Sequence, residues 1–187
     1  MSENTKSTLQ QLIDSRRTVH DFTAETVATG QIMSAIASAR WAPNHLRTEP
    51  WKFYLLGDRP KQRICDYNKE LVTAEKGNKV ADVKYRRWMA MPGWLVLTCL
   101  KNDDALRERE DYAACCCAAQ NLSLVLWEQG IGVKWTTGAI TREPRFFEII
   151  DADHAREFVV GLFWYGYPKV IPDQHRRSPE EIVNVLD

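Results

Sequence analysis

Two long segments of this chain are apolar at almost every position, and they constrain its fold most strongly. Residues 94–100 have the sequence WLVLTCL, and residues 157–165 have the sequence EFVVGLFWY. Strands with apolar side chains on both faces are typical of sheets that are covered on both sides. Shorter strands are predicted at 51–56 and 133–136. The chain is therefore expected to build a central sheet with helices packed around it.

Helical periodicity predicts the elements around this sheet. Apolar residues at helical spacing indicate a short amphipathic helix over 7–15 and a second one from near Thr29 to just before Pro43. Residues 60–90 are polar and are also predicted to be helical. The longest candidate covers 106–129, and it is expected to be deeply buried because its centre is apolar on all sides.

Three capping signals mark helix ends. Gly130 follows the longest helix, where a glycine commonly ends a helix in the left-handed conformation. Thr141 is expected to cap a helix that contains residues 146–150. Ser178 and Glu181 form a capping-box pattern, with Pro179 at the first position of a last helix.

Composition argues against several classes of protein. The 187 residues include 25 basic and 25 acidic side chains, so there is no net charge to attract nucleic acid or an anionic membrane. Five cysteines, three of them adjacent, fit neither a disulfide framework nor a metal site. The N-terminus lacks the apolar segment of a signal peptide. We expect one domain, residues 1–187, in the cytoplasm, without a bound metal.

Two basic pairs could bind an anion. Arg16 and Arg17 follow the first predicted helix and precede Thr18, and their guanidinium groups could bind phosphate with forked hydrogen bonds. Cations near a helix C-terminus also stabilise the helix, which is the simpler explanation. Arg176 and Arg177 lie in the C-terminal segment, where they could equally be a solvated pair.

Two further segments could meet a planar ligand. The loop around His45 is bounded by two prolines, and loops fixed by a rigid scaffold often carry binding groups. The segment 130–138 ends with two threonines and Gly138, which would allow close backbone approach. The chain contains no serine-protease-like triad, zinc-protease motif or phosphate-binding loop. That pattern fits an enzyme whose chemistry belongs to a cofactor.

Taken in order, these segments resemble the nitroreductase family, and its compact branch most. The matching segments are SRRTVHDF (15–22), ASARWAPNHLRTEPWKFYLL (37–56), GIGVKWTTGAI (130–140), GLFWYGYP (161–168) and RRSPEEIV (176–183). The resemblance implies an α+β fold with a mostly antiparallel central sheet wrapped by helices. It also implies a homodimer with FMN at the interface. Hydride would pass from NAD(P)H to the flavin N5 and then to a nitro compound, quinone or enone by a ping-pong route.

The same resemblance assigns the residues that would bind FMN. They are Arg16, Arg17 and Thr18 at the phosphate and ribityl chain, Trp41 and His45 on a loop that meets the flavin, Trp135, Thr136, Thr137 and Gly138 beside the ring, and Arg176 or Arg177 at the phosphate. Trp41 is expected to reach the FMN of the partner subunit. No catalytic side chain is expected, and His45 is the one candidate.

The sequence departs from the compact branch at two positions, and two other functions remain as alternatives. Compact relatives often carry arginine at the positions of Trp41 and Thr136, and both residues are uncharged here. The fold could serve another redox task, such as oxidation of a metabolite or dehalogenation. It could also belong to a flavin-binding protein without turnover.

Overall fold

A single antiparallel sheet lies at the centre of the computed structural model, which describes residues 8–186. Its strands are β1 (Trp51–Leu56), β2 (Gly93–Leu100), β3 (Gly132–Thr136) and β4 (Glu157–Gly166), in the order β1-β2-β4-β3. All three strand pairs are antiparallel. On the free edge of β3, Thr18 forms a parallel bridge with Val133. The predicted strands and the mostly antiparallel sheet are thus confirmed.

Helices cover both faces of this sheet. They are α1 (Thr8–Ser15), α2 (Thr29–Ala39), α3 (Asp58–Lys76), α4 (Asn78–Met89), α5 (Ala105–Glu128) and α6 (Pro144–Ile150). Leu95 and Leu97 pack with α2 and α5, whereas Trp94 and Val96 pack with α3, α4 and α6. Alternate residues of β2 therefore enter two cores, which explains why the strand is apolar throughout.

Helix α5 is buried along one face. Small side chains such as Ala118 and Ala119 let it pack closely on the sheet and on α2. Its opposite face, with Ala113, Cys117 and Gln120, is exposed in the single chain. The predicted burial of this helix is confirmed for the face that packs on the sheet and on α2. Burial on all sides was also expected, but the opposite face is not covered within one chain.

Three details of the helices differ from expectation. Residues 60–90 form two helices, because Gly77 takes a positive φ of 80° between them. Thr141 does not cap α6; it lies in a 3-10 turn and its Oγ1 donates to the carbonyl of Gly138 at 2.8 Å. Glu143 is the N-cap instead, since the residue before Pro144 is extended.

The last predicted helix is only one 3-10 turn, Pro179–Glu181. Its capping box forms, and the Ser178 backbone N–H donates to the Glu181 carboxylate at 3.0 Å. The residues that follow, 182–186, are all exposed. A short helix without a packed face is marginal in water. The capping box at Ser178 therefore begins a single 3-10 turn and not a longer helix.

Candidate functional site

Three arginines from distant parts of the chain line one cavity. Arg16 and Arg17 follow the end of α1, and Arg176 comes from the C-terminal segment. The cavity has a volume of about 480 Å³, and Gln120 of α5 and Asp14 also line it. Arg177, by contrast, is exposed and does not line this cavity. The structure therefore places Arg176, one member of the C-terminal basic pair, beside Arg16 and Arg17.

The charges in this arginine cavity are poorly balanced. Burial lowers the pKa of Arg16, and repulsion from Arg176 and Arg17 lowers it further. Within residues 8–186, none of these arginines forms an ion pair with a carboxylate. Arg17 donates instead to the backbone carbonyls of Asp14, at 2.5 Å, and Arg16, at 3.0 Å. A phosphate dianion would offset the repulsion and accept forked hydrogen bonds, so the cavity fits the phosphate of a nucleotide.

The segment after the arginines is fixed along the edge of β3. The Val19 backbone N–H donates to the carbonyl of Val133 at 3.1 Å, beside the Thr18 bridge. The Val19 side chain lies over Gly132, where an added Cβ would come within 2.3 Å of Val19 Cγ2. Thr18 therefore has a fixed place between the arginine cavity and β3.

Trp135, near the end of β3, has a defined orientation. Its indole N–H donates to the carbonyl of Val160 at 3.0 Å, and its ring centroid lies 5.2 Å from that of Phe163. The indole covers Gly161, where a Cβ would come within 2.1 Å of Nε1. Trp135 as a whole is still 38% exposed, which leaves part of its surface for a ligand.

The neighbouring residues Thr136 and Gly138 line a different cavity, between β3 and α4, with a volume of about 610 Å³. Side chains alternate along a strand, so Thr136 faces the opposite side of the sheet from Trp135. Thr137 is exposed. Apart from its two chain neighbours, no described residue has an atom within 4 Å of a Cβ built on Gly138, so a ligand has room to approach its backbone.

Trp41 and His45 stand apart from both cavities. Trp41 is 79% exposed, with the Arg40 guanidinium 5.9 Å from its ring centroid. His45 is exposed and begins the 3-10 turn His45–Arg47. Within one chain, neither residue lines the arginine cavity or the α4–β3 cavity.

The loop that carries His45 is anchored by contacts that the sequence reasoning missed. The Thr48 hydroxyl donates to the buried carboxylate of Asp111 on α5 at 2.5 Å. The Asn44 side chain accepts from the Glu49 backbone N–H at 2.8 Å. Asp111 follows the charged residues 107–110, so nothing in the sequence indicated that this one carboxylate would be buried and need a partner.

Two more observations concern metal binding and membrane insertion. Among residues 8–186, no cluster of His, Cys, Asp or Glu side chains could hold a metal ion. No helix in that range combines the length and apolar character needed to cross a bilayer.

Comparison with known proteins gives the family. The model of the nitroreductase family matches residues 13–167. A Bacillus subtilis protein named "Putative NAD(P)H nitroreductase YfhC" is 29% identical over 181 residues, which are 92% of this chain and 91% of that protein. The structure of a nitroreductase-like family protein from Bacillus cereus matches with a TM-score of 0.83, at 29% identity and full coverage of both chains.

A more distant structure shares the fold. A protein of Desulfovibrio desulfuricans named "putative nitroreductase", solved in complex with FMN, has a TM-score of 0.77 at 20% identity, covering 98% of this chain and 99% of its own. The family match covers most of the chain. This chain belongs to the nitroreductase family.

Proposed function

We propose that this protein is an FMN-dependent oxidoreductase that transfers hydride from NAD(P)H to a nitroaromatic, quinone or similar small acceptor. The observation that carries the proposal is the arginine cavity, whose three cations lack a described carboxylate partner. The name of the Bacillus subtilis relative supports NAD(P)H as the donor, and the FMN complex of the Desulfovibrio desulfuricans protein supports the cofactor.

The residues present suit the parts of FMN. Arg16 and Arg176 would hold the phosphate, and Thr18 would lie along the ribityl chain. Trp135 would border the ring, with Thr136, Thr137 and Gly138 at its edge. Arg17, which is tied to backbone carbonyls, would add charge more than direct contact. Bound FMN supplies two-electron chemistry in two half-reactions, one with NAD(P)H and one with the acceptor.

The chain itself would mainly orient the two reactants. Holding them in stacked geometry lowers the entropic part of the barrier. Reduction of a nitro group to a nitroso group consumes two electrons and two protons and releases water. The transferred hydride supplies both electrons and one of those protons, and the second proton is drawn from solvent through an open cavity. We therefore propose no indispensable acid or base among the side chains.

We also propose a homodimer, in which Trp41 and His45 meet the FMN of the partner subunit. Several large apolar side chains on the α1, α2 and loop surfaces are exposed, among them Leu9, Ile13, Met33, Trp41 and Leu46. Exposed apolar groups of this kind are typical of protein interfaces. Light scattering of the FMN-loaded protein should give twice the chain mass of 21.6 kDa.

The cofactor and the reaction are tested together. Heat-released cofactor should be FMN, bound non-covalently and close to one per subunit. Under anaerobic conditions, NADH or NADPH should bleach the flavin, and a nitroaromatic or quinone should restore its colour. Failure to bind FMN after reconstitution would contradict the proposal. A flavoprotein that neither nicotinamide reduces would point to another redox task.

A further inference from the structure

The α4–β3 cavity lies on the opposite face of the sheet from the arginine cavity. Trp88 of α4 and Trp164 of β4 are buried aromatic residues that line it. Val80 and Val83 of α4 also line it and are 46% and 56% exposed. The lining is thus mainly aromatic and aliphatic, which suits a planar apolar body.

Four cations surround this apolar lining. Lys79, Lys84 and Arg87 come from α4, and Lys134 comes from β3. None of the described residues that line the cavity is an aspartate or a glutamate. Four positive charges around one aromatic cavity of about 610 Å³ favour a ligand with a negative group.

Two of the lysines lie over the aromatic rings. Lys134 Nζ is 5.1 Å from the ring centroid of Trp164, and Lys84 Nζ is 5.2 Å from that of Trp88. Burial lowers the pKa of Lys134, and the charge of Arg87 lowers it further, although Asp21 opposes this. The cations are therefore held near apolar surface and near each other, and an anion would stabilise them.

One of the lining residues also has a buried donor without a hydrogen-bond partner among the described residues. The indole Nε1 of Trp164 is buried and has no hydrogen-bond partner among the described residues. Trp164 lines the cavity, and an unpaired buried donor is unfavourable by itself. Because that atom is buried beneath the ring surface, it is not itself a contact for a ligand, and the features that favour a ligand here are the lining rings and the cations.

We propose that the α4–β3 cavity binds the acceptor substrate, and that this substrate is a planar aromatic compound with an acidic substituent. The assignment rests on the proposed function, because it places the flavin edge at Thr136 and Gly138, which line the same cavity. The aromatic body would contact Trp88 and Val83. The acidic group would be held by Lys84, Arg87 or Lys134, and this charge pairing would select among acceptors.

The test compares two nitroaromatics that differ in charge, 4-nitrobenzoate and neutral 4-nitrobenzamide. Each is titrated by calorimetry into the oxidised, FMN-loaded protein without NAD(P)H, so that binding is measured apart from turnover. 4-Nitrobenzoate should bind at least about tenfold more tightly. Lys84→Gln and Lys134→Gln should each weaken 4-nitrobenzoate by about tenfold and change 4-nitrobenzamide by less than about twofold.

Arg59→Gln provides the matched control. Arg59 is exposed near the start of α3 and does not line the cavity, so its loss should change neither affinity. In turnover, the two lysine variants should raise KM for 4-nitrobenzoate while kcat stays near that of the wild type. A change in kcat with unchanged KM would count against a role in binding.

Two results would overturn the assignment. Equal affinity for the two nitroaromatics would show that the cations do not select the ligand. Binding to the apoprotein that disappears when FMN is loaded would show that the cavity holds the flavin itself. Charge-selective binding without any NAD(P)H-dependent turnover would instead support the anion site and contradict the proposed function.

Discussion

Arg16 is a half-buried cation beside two other cations, without an ion-pair partner among the described carboxylates. A phosphate in the arginine cavity would give it that partner. Arg16→Ala should therefore weaken FMN binding by roughly ten- to a hundredfold, since a charge-assisted hydrogen bond contributes about 1.5–3 kcal/mol. Flavin fluorescence titration of the apoprotein measures the Kd. Arg17→Ala is the matched comparison, and its effect should be smaller. Equal FMN affinity of Arg16→Ala and the wild type would refute the assignment.

His45 is the residue most open to a catalytic interpretation, because histidine commonly transfers protons near neutral pH. It is exposed on its turn and lines neither cavity within one chain. His45→Gln should lower turnover by no more than about tenfold at saturating FMN, whereas loss of a general acid costs roughly 10²–10⁴-fold. Rates are measured from pH 5 to 9. A loss above a hundredfold at full flavin occupancy, with one limb of the pH profile missing, would make His45 catalytic.

Glu157 is a buried carboxylate that joins three strands. It accepts hydrogen bonds from Lys52 Nζ at 2.6 Å, Tyr54 Oη at 2.7 Å and Thr98 Oγ1 at 2.6 Å. Burial alone would raise the pKa of Glu157, but these hydrogen bonds offset burial, so the pKa lies below its ordinary value. The charged form is therefore favoured in the folded protein.

This network predicts a pH-dependent loss of stability. Glu157→Gln should lower the free energy of unfolding by about 2 kcal/mol at pH 7. The folded-state pKa is below that of the unfolded chain, about 4.3 for glutamate, so the contribution is present above that value. It is lost as the pH falls through the folded pKa. Urea denaturation from pH 3 to 8 should show the difference from wild type narrowing in acid. Glu148→Gln, at an exposed position of α6, should show little difference at any pH.

At the scale of elements, sequence patterns located the strands within a residue or two, because β2 and β4 are nearly continuous apolar segments and the two shorter strands lie next to glycine or proline residues. The same reasoning failed where a contact between distant residues decides the conformation. Leu46, Arg47 and Glu49 all take positive φ values, which such residues rarely adopt without support. The Thr48–Asp111 hydrogen bond spans 63 positions of the chain. Local propensity contains no information about such a contact.

The candidate site was predictable to a similar degree. Adjacent arginines after a helix are visible in the sequence, but their meeting with Arg176 depends on the path of the C-terminal segment. The four cations of the α4–β3 cavity come from two elements that do not follow each other in the chain, so no motif shows them. The structure places Lys134 and Thr136 on one face of β3, and Trp135 on the other.

The packing of Trp135 on β4 gives an element-scale prediction. Gly161→Ala would place a Cβ within 2.1 Å of Trp135 Nε1 and 2.9 Å of Phe163 Cε2, so the indole must move. Such overpacking should lower stability by about 1–3 kcal/mol and weaken FMN binding as well. Thermal melting and flavin titration measure the two effects. Gly30→Ala, in α2, should be neutral or slightly stabilising, because no described atom outside its own helical turn lies within 4 Å of the new Cβ. Similar melting curves for both variants would contradict this account of Trp135.

At the scale of the whole molecule, the predicted site residues fall into two groups within one chain. Arg16, Arg176 and Thr18 lie around the arginine cavity and the edge of β3, whereas Trp41 and His45 lie beyond the C-terminal end of α2. The exposed face of α5 and the exposed apolar residues of α1 and α2 offer a surface for a second chain. A two-fold dimer would allow each protomer to complete the site of the other.

Mixed dimers test whether the site is shared. Arg16→Ala and Trp41→Ala should each weaken FMN binding in a homodimer. In a heterodimer of the two variants, a shared site combines Arg16 of one chain with Trp41 of its partner, so one of the two sites carries neither change. Doubly tagged heterodimers should therefore bind about one FMN at wild-type affinity, while the other site stays defective. If Trp41 serves the FMN of its own chain, every site in the heterodimer carries one change, and both sites should show only the weakened affinities of the parent variants.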